Sequence, residues 1–144
     1  MEKNYKELII LVAEDDDGHA ELIIEGLIES GVKNQMIRFS NGEDAWKFIS
    51  NTGDKPGRSE NKNYLLLLDI NMPKMDGIEV LKGMKSDDEL KEIPVIMLTT
   101  TDDPREVEAC YRLGCNVYVT KPIDFKKFTE TLKRLGLFLQ IVKI

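Results

Sequence analysis

The chain has 144 residues, of which 42% are hydrophobic and 32% charged, a balance typical of one globular domain with its own core. Its formal net charge of −6 argues against nonspecific nucleic-acid binding, which depends on lysine and arginine contacts to phosphates. No apolar run is long enough to span a bilayer, and the N-terminus lacks a signal-peptide layout, so we expect no membrane association and a cytoplasmic location. There, Cys110 and Cys115 are expected to be reduced thiols.

Short apolar segments alternate with segments of helical periodicity from the N-terminus onward. Residues 8–13 predict the first strand, and the helix that follows is expected to end at Gly31. Residues 36–39 predict a weaker second strand, followed by a helix around residues 45–49. Residues 51–63, NTGDKPGRSENKN, are polar and contain glycine and proline, so they are predicted to form an inserted surface loop.

The second half of the chain continues the same alternation. Its strands share a continuous apolar composition and are predicted over residues 64–68, 95–98 and 117–119. A helix around residues 78–84 separates the first two. Asp103 followed by Pro104 is a typical helix start, and that helix is expected to end at Gly114. Asp124 can cap a long final helix over residues 124–144.

Five strand–helix pairs in succession predict an α/β fold in which the whole chain, residues 1–144, is one domain. Strands that are apolar throughout, rather than alternating, are typical of a parallel sheet buried on both faces. The sequence therefore predicts a doubly wound, five-stranded parallel sheet. All strands of such a sheet point their carboxyl ends to one edge, which is where ligands bind.

Chemically active side chains follow four of the five predicted strands. Glu14 and Asp15 follow the first, Asp69 the third, Thr99 the fourth and Lys121 the fifth. Clustered carboxylates repel one another, and a divalent cation such as Mg²⁺ removes that penalty. Lysine and a hydroxyl add a positive charge and a hydrogen bond for a phosphate. This set suits phosphoryl transfer, with Asp69 as the nucleophile that forms an acyl phosphate.

Four segments in the same order resemble the receiver domain of two-component response regulators. They are the acid pair Glu14-Asp15, the segment LLLLDINMPKMDG that contains Asp69, the segment PVIMLT that ends in Thr99, and YVTKP at residues 118–122. The resemblance implies a flavodoxin-like (βα)5 fold with strand order 2-1-3-4-5. It also implies that Asp69 accepts a phosphoryl group from a sensor histidine kinase.

The resemblance assigns a role to each matching position around the phospho-acceptor. Glu14 and Asp15 would be the metal-binding acid pair, with Asp15 the more direct ligand of Mg²⁺ or Mn²⁺. Asp69 and the backbone carbonyl of Asn71 would complete the metal ligands from the protein. Lys121 would pair with the phosphoryl group, and the Asn71 side chain would be one of two groups that tune hydrolysis of the acyl phosphate.

The resemblance also implies a conformational switch beside the acceptor. Thr99 would supply the hydroxyl that bonds the phosphate, and Tyr118 the aromatic ring that turns inward with it. Thr101 would be the second residue that tunes dephosphorylation. The bond between Lys121 and Pro122 is expected to be cis, because X-Pro bonds tolerate that isomer.

Two other functions remain open at this stage. A haloacid-dehalogenase-like phosphatase also uses an aspartate at a strand end, but it needs a second acid two residues later, where this chain has Asn71. A pseudo-receiver would never take phosphate, although every side chain needed for that reaction is present. The expected function is a stand-alone receiver that is not an enzyme beyond its own phosphorylation and dephosphorylation.

The insertion over residues 51–63 is similar to that of stand-alone receivers that partner phytochrome-type sensor kinases. Its basic residues could contact a partner, or the loop could be a tolerated surface insertion. The expected output is contact with a downstream protein, whose identity the sequence leaves unknown, or relay to another histidine. The contact surface would lie around Tyr111 and Tyr118.

The final helix carries more apolar residues than one buried face needs. One set recurs at alternating steps of three and four and predicts the face packed on the sheet, namely Phe125, Phe128, Leu132, Leu135, Leu139 and Val142. A second set lies off that face, namely Leu137, Phe138, Ile141 and Ile144. Exposed apolar patches usually mark interfaces, so this second set predicts a homodimer through the last helix.

Three polar residues at the start of the first helix are expected to have no part in phosphoryl transfer. Asp16 and Asp17 are predicted to solvate the loop or cap the helix. His19 is the only histidine of the chain, and its place in the first turn predicts an exposed side chain without a function.

Overall fold

Five parallel strands form a single sheet in the computed structural model, which describes residues 7–141, without the side chain of Ile141. They are β1 (Glu7–Ala13), β2 (Met36–Phe39), β3 (Lys62–Leu68), β4 (Val95–Thr99) and β5 (Val117–Thr120). The order across the sheet is β2-β1-β3-β4-β5, which confirms the predicted topology. Ala13 pairs with both Phe39 and Leu68, and Thr99 pairs with Thr120, so the strands end almost level at one edge.

A helix follows each strand, as the periodicity predicted. The helices are α1 (Asp17–Glu29), α2 (Gly42–Ser50), α3 (Gly77–Lys85), α4 (Pro104–Leu113) and α5 (Phe125–Ile141). Asp103 caps α4 with Pro104 in its first turn, as expected, and Asp16 caps α1 by accepting a hydrogen bond from the His19 backbone N–H at 2.8 Å. Among the helices within residues 7–141, none has the length and apolarity needed to cross a bilayer.

The four leucines of β3 supply both faces of the sheet. Leu66 and Leu68 belong to the core that also contains buried residues of α2, α3 and α4. Leu65 and Leu67 belong to the core on the other face, with buried residues of α1 and α5. Burial of each leucine stabilises the fold by about 1.5–3 kcal/mol. The strand is therefore fixed between two cores, and so is the residue that follows it.

The buried face of α5 is shorter than the sequence predicted. Its buried side chains are Phe128, Leu132, Leu135 and Leu139. The expectation that Phe125 packs on the sheet is wrong, because this residue is the first of the helix and its side chain is 58% exposed. Val142 lies outside the described residues.

The C-terminal half of the inserted loop, which contains Arg58 and Ser59, is hydrogen-bonded to the rest of the domain. The Arg58 guanidinium donates to the Ile49 carbonyl at 2.8 Å and forms an ion pair with Glu89 at 3.0 Å. The Ser59 N–H donates to the Tyr64 hydroxyl at 2.7 Å. Strand β3 begins at Lys62, so the loop ends two residues earlier than predicted. Arg58 therefore holds the loop in place, and Lys55 is an exposed basic residue within it.

Candidate phosphoryl-acceptor site

Asp69 is held at the sheet edge by its backbone on both sides. Its N–H donates to the Ala13 carbonyl at 3.1 Å, and its carboxylate Oδ1 accepts from the Ile70 N–H at 2.8 Å. The Gly77 N–H donates to the Ile70 carbonyl at 2.8 Å, and a Cβ on Gly77 would lie 2.0 Å from the Asp69 carbonyl oxygen. Only glycine lets α3 approach so closely, so the start of this helix fixes the Asp69 backbone.

Two further carboxylates converge beside that of Asp69, as the sequence predicted. Glu14, Asp15 and Asp69 each offer an oxygen, and these atoms all lie within 4.8 Å of one another. Glu14 and Asp69 are buried, whereas Asp15 is exposed. Burial, together with the charge of Asp69, raises the pKa of the Glu14 carboxyl. A divalent cation with oxygen ligands would relieve this repulsion, so the donor set fits Mg²⁺ or Mn²⁺.

Lys121 lies between the acids and is 3% exposed. Its ammonium Nζ is 2.5 Å from Glu14 Oε1 and 3.3 Å from Asp69 Oδ2. Its backbone N–H donates to the Thr99 carbonyl at 2.6 Å, which fixes the residue after β5 beside the end of β4. The lysine thus offers a positive charge at the carboxylate that the sequence marks as the nucleophile.

The peptide bond between Lys121 and Pro122 differs from the expectation. The described residues contain no cis peptide bond, so this bond is trans and the predicted cis isomer is wrong for this structure. The trans form is the more stable isomer of an X-Pro bond by about 0.5–1 kcal/mol.

The two residues predicted to form the switch, Thr99 and Tyr118, both approach the backbone of Thr101. Thr99 is fully buried at the end of β4, and its hydroxyl oxygen lies 3.5 Å from the Thr101 N–H. The Tyr118 hydroxyl donates to the Thr101 carbonyl at 2.6 Å, and its backbone N–H donates to the Tyr111 hydroxyl at 3.0 Å. Burial raises the pKa of Tyr118 to about 12, so its hydroxyl keeps the proton that it donates. Asn71 is exposed in the loop after β3.

Arg38 supports the acid pair, a role that sequence reasoning missed. From β2, its guanidinium Nη2 donates to the Glu14 carbonyl at 2.8 Å and to the Asp15 carbonyl at 3.3 Å. Its Nη1 forms an ion pair with Asp17 at 2.7 Å. One side chain thus fixes the backbone of both acids. The sequence did indicate that β2 lies beside β1, but strand adjacency does not specify which backbone groups a long arginine side chain contacts.

His19 also lies at the site, contrary to the prediction of an exposed side chain. It is half-buried, and its Nδ1 is 3.2 Å from Lys121 Nζ. Its ring meets the ring of Phe128 edge-on, with centroids 5.8 Å apart. The helical period locates the apolar face of α1 but does not reveal that its first turn borders the loop after β5.

Comparison with known proteins agrees with this geometry. The model of the family described as "Response regulator receiver domain" matches residues 10–133. This chain belongs to the response regulator receiver family. The receiver is 34% identical to response regulator Rcp1 of Synechocystis sp. over 130 residues, which are 90% of this chain and 87% of Rcp1.

Solved receivers share the whole fold of this one. A receiver domain from Rhodospirillum rubrum is 42% identical and superposes with a TM-score of 0.88, covering 94% of this chain and 96% of its own. The phosphorylated cyanobacterial phytochrome response regulator RcpA is 32% identical and superposes with a TM-score of 0.84. The match covers 96% of this chain and 97% of RcpA. Rcp1 itself has been solved in an Mn²⁺-bound form, which is 34% identical with a TM-score of 0.84. The match covers 94% of this chain and 97% of Rcp1.

Proposed function

We propose that this receiver accepts a phosphoryl group on Asp69 from a histidine of a sensor kinase, in a reaction that depends on Mg²⁺. The observation that carries the proposal is the convergence of Asp69, the acid pair Glu14-Asp15 and Lys121 at one sheet edge. Phosphoryl transfer needs little beyond positioning and charge neutralisation, and these four side chains supply both.

In the proposed step, the Asp69 carboxylate attacks the phosphorus of the phosphohistidine. A new O–P bond forms to Asp69 while the N–P bond to the imidazole breaks, and the electron pair of that bond leaves with the nitrogen. Ile70 contributes through its backbone N–H, which bonds Oδ1 and leaves Oδ2 as the oxygen that faces Lys121. Lys121 stabilises the charge on the incoming phosphoryl oxygens.

Glu14, Asp15, Asp69 and the backbone carbonyl of Asn71 would hold the divalent cation. When bound, the cation would neutralise phosphoryl charge during transfer. Arg38 contributes by holding the Glu14 and Asp15 carbonyls, which keeps the acid pair in place. The Thr99 hydroxyl would then bond the phosphoryl group, and Tyr118 would respond through its link to Thr101.

The kinase partner that we propose is of the phytochrome type. The support is the similarity to Rcp1 and to the phytochrome response regulator RcpA, together with the inserted loop. The receiver would pass its signal to a downstream protein and would not turn over a substrate. A phosphatase finds less support, because Asn71 lacks the carboxylate needed for a second acid.

Intact mass tests the acceptor assignment directly. After incubation with Mg²⁺ and a small phosphodonor, we expect the wild-type receiver to gain one phosphoryl group and Asp69→Asn to gain none. Omission of Mg²⁺ should suppress the gain. A gain on Asp69→Asn would refute the assignment of Asp69, and continuous turnover of phosphate esters by the wild type would favour the phosphatase instead.

We also propose that the receiver forms a homodimer through α5. Leu137 and Phe138 are 51% and 45% exposed, as the sequence predicted. Phe138 borders a groove of about 250 Å³ that is also lined by Val117, Val119 and Leu135. A second copy would cover these apolar surfaces with its own. Of the other predicted dimer residues, Ile144 and the side chain of Ile141 lie outside the described part of the chain.

Charge placed on this surface should weaken the dimer. For Leu137→Glu and Phe138→Glu, we expect dissociation at concentrations where the wild type is dimeric, because each acid would be buried without a partner. Light scattering coupled to size exclusion measures this. Ile28→Glu is the matched control, since Ile28 is an exposed apolar residue of α1 and its change should leave the mass unaltered. A monomeric wild type would contradict the proposal.

A further inference from the structure

His19 contacts the active-site lysine, although neither its sequence position nor the acceptor chemistry assigns it a role. Among the described residues 7–141, Lys121 Nζ has three neighbours at hydrogen-bond distance, namely Glu14 Oε1, Asp69 Oδ2 and His19 Nδ1 at 3.2 Å. An ammonium has three N–H donors and no acceptor. The three neighbours therefore match its three donors, and the histidine takes the one that the carboxylates leave.

This contact selects one of the two tautomers of a neutral imidazole. Because Lys121 can only donate, Nδ1 of His19 must accept, and the ring proton then belongs on Nε2. The ring also contacts Phe128 of α5, which it meets edge-on at an interplanar angle of 88°. The backbone N–H of His19 is fixed by the Asp16 cap. The acceptor atom therefore has a defined place beside Nζ.

We propose that His19 is a positioning residue for Lys121 in phosphoryl transfer, an inference that rests on the function proposed above. Both carboxylates that bind Lys121 change their surroundings in the reaction, because Asp69 becomes an acyl phosphate and Glu14 would serve the cation. His19 does neither. It keeps one N–H of Lys121 bonded without adding negative charge beside the incoming phosphoryl group, so the lysine remains aimed at the site of transfer.

A matched pair of variants separates this role from simple packing. Asparagine carries a carbonyl oxygen where histidine carries Nδ1, whereas leucine has nearly the same shape without an acceptor. We expect His19→Asn to phosphorylate within about threefold of the wild type and His19→Leu to be slower by about tenfold. The loss should fall on the maximal rate, with the donor concentration at half-maximal rate unchanged. Because leucine favours helices more than asparagine does, His19→Leu should nevertheless have a higher free energy of unfolding than His19→Asn.

The nitrogen NMR spectrum tests the contact without any phosphorylation. His19 is the only histidine in the sequence, so a protein without a histidine tag shows a single imidazole. In mildly alkaline buffer, we expect the proton on Nε2 and an Nδ1 signal that shifts when Lys121 is replaced by methionine. Asp69→Asn should keep the Nε2–H tautomer, because it leaves the lysine in place.

The outcomes distinguish this inference from the proposed function. If the wild type gains no phosphoryl group from any donor, both fall. If it does, but His19→Asn and His19→Leu react at equal rates, the positioning role alone is refuted. A proton on Nδ1, or an Nδ1 signal that is unaffected by Lys121→Met, also overturns it.

Discussion

Lys121→Met should stop phosphorylation of Asp69 and lower the free energy of unfolding by about 3–5 kcal/mol. The ammonium lies 2.5 Å from Glu14 and 3.3 Å from Asp69, and both partners are buried. Methionine preserves much of the side-chain volume but leaves the two carboxylates unpaired and close together. Breaking a buried pair by removing one partner costs more than the pair contributes, because the remaining charge has no compensation.

Urea unfolding and intact mass measure the two effects on the same samples. Mg²⁺ should recover more stability in Lys121→Met than in the wild type, because the cation no longer competes with the ammonium for the same carboxylates. Lys55→Met is the control, since Lys55 is exposed in the inserted loop and its loss should change stability by less than about 0.5 kcal/mol. A variant that is as stable as the wild type and still phosphorylated would contradict the assigned role of Lys121.

Gly77→Ala should destabilise the receiver by about 1–3 kcal/mol and weaken Mg²⁺ binding by about tenfold or more. The added Cβ would lie 2.0 Å from the Asp69 carbonyl oxygen and 2.9 Å from its carbonyl carbon. These are backbone atoms, so they cannot rotate away as a side chain can. Either α3 or the Asp69 backbone must move, and the second movement displaces a proposed metal ligand.

Calorimetric titration with Mg²⁺, together with urea unfolding, tests this prediction. Gly18→Ala is the control, because Gly18 lies in the first turn of α1 and its added Cβ would meet only the Asp16 side chain, at 3.2 Å. We expect that variant to bind Mg²⁺ like the wild type. If Gly77→Ala loses stability but keeps its Mg²⁺ affinity, α3 has moved instead of Asp69, and the link between this glycine and the acceptor is refuted.

The sequence predicted the strand-end chemistry because a parallel sheet converts chain order into spatial order. Glu14, Asp69 and Lys121 are far apart in the chain, yet each follows an apolar strand, and all such strands end at one edge. The strand ends therefore located these residues without knowledge of any side-chain conformation. The leucines of β3 were equally informative, since an unbroken apolar strand must be covered on both faces.

The features that the sequence did not predict are side-chain contacts between distant parts of the chain and the burial of individual helix residues. Arg38 binds the Glu14 and Asp15 carbonyls through a long side chain, and periodicity contains no information on that reach. His19 lies beside Lys121 because the first turn of α1 borders the loop after β5, a proximity that helical periodicity does not encode. Phe125 fits the apolar period of α5 but is the first residue of the helix and is exposed, so the period alone predicted a burial that the fold does not provide.

The two outer strands of the sheet are its shortest, which affects how the protein can self-associate. Strands β2 and β5 have four residues each, whereas β1 and β3 have seven. Unpaired backbone groups on an outer strand can template pairing with another chain, and short outer strands limit that risk. Copies of this protein are therefore not expected to extend one continuous sheet from molecule to molecule, which also reduces the tendency towards fibrillar aggregation.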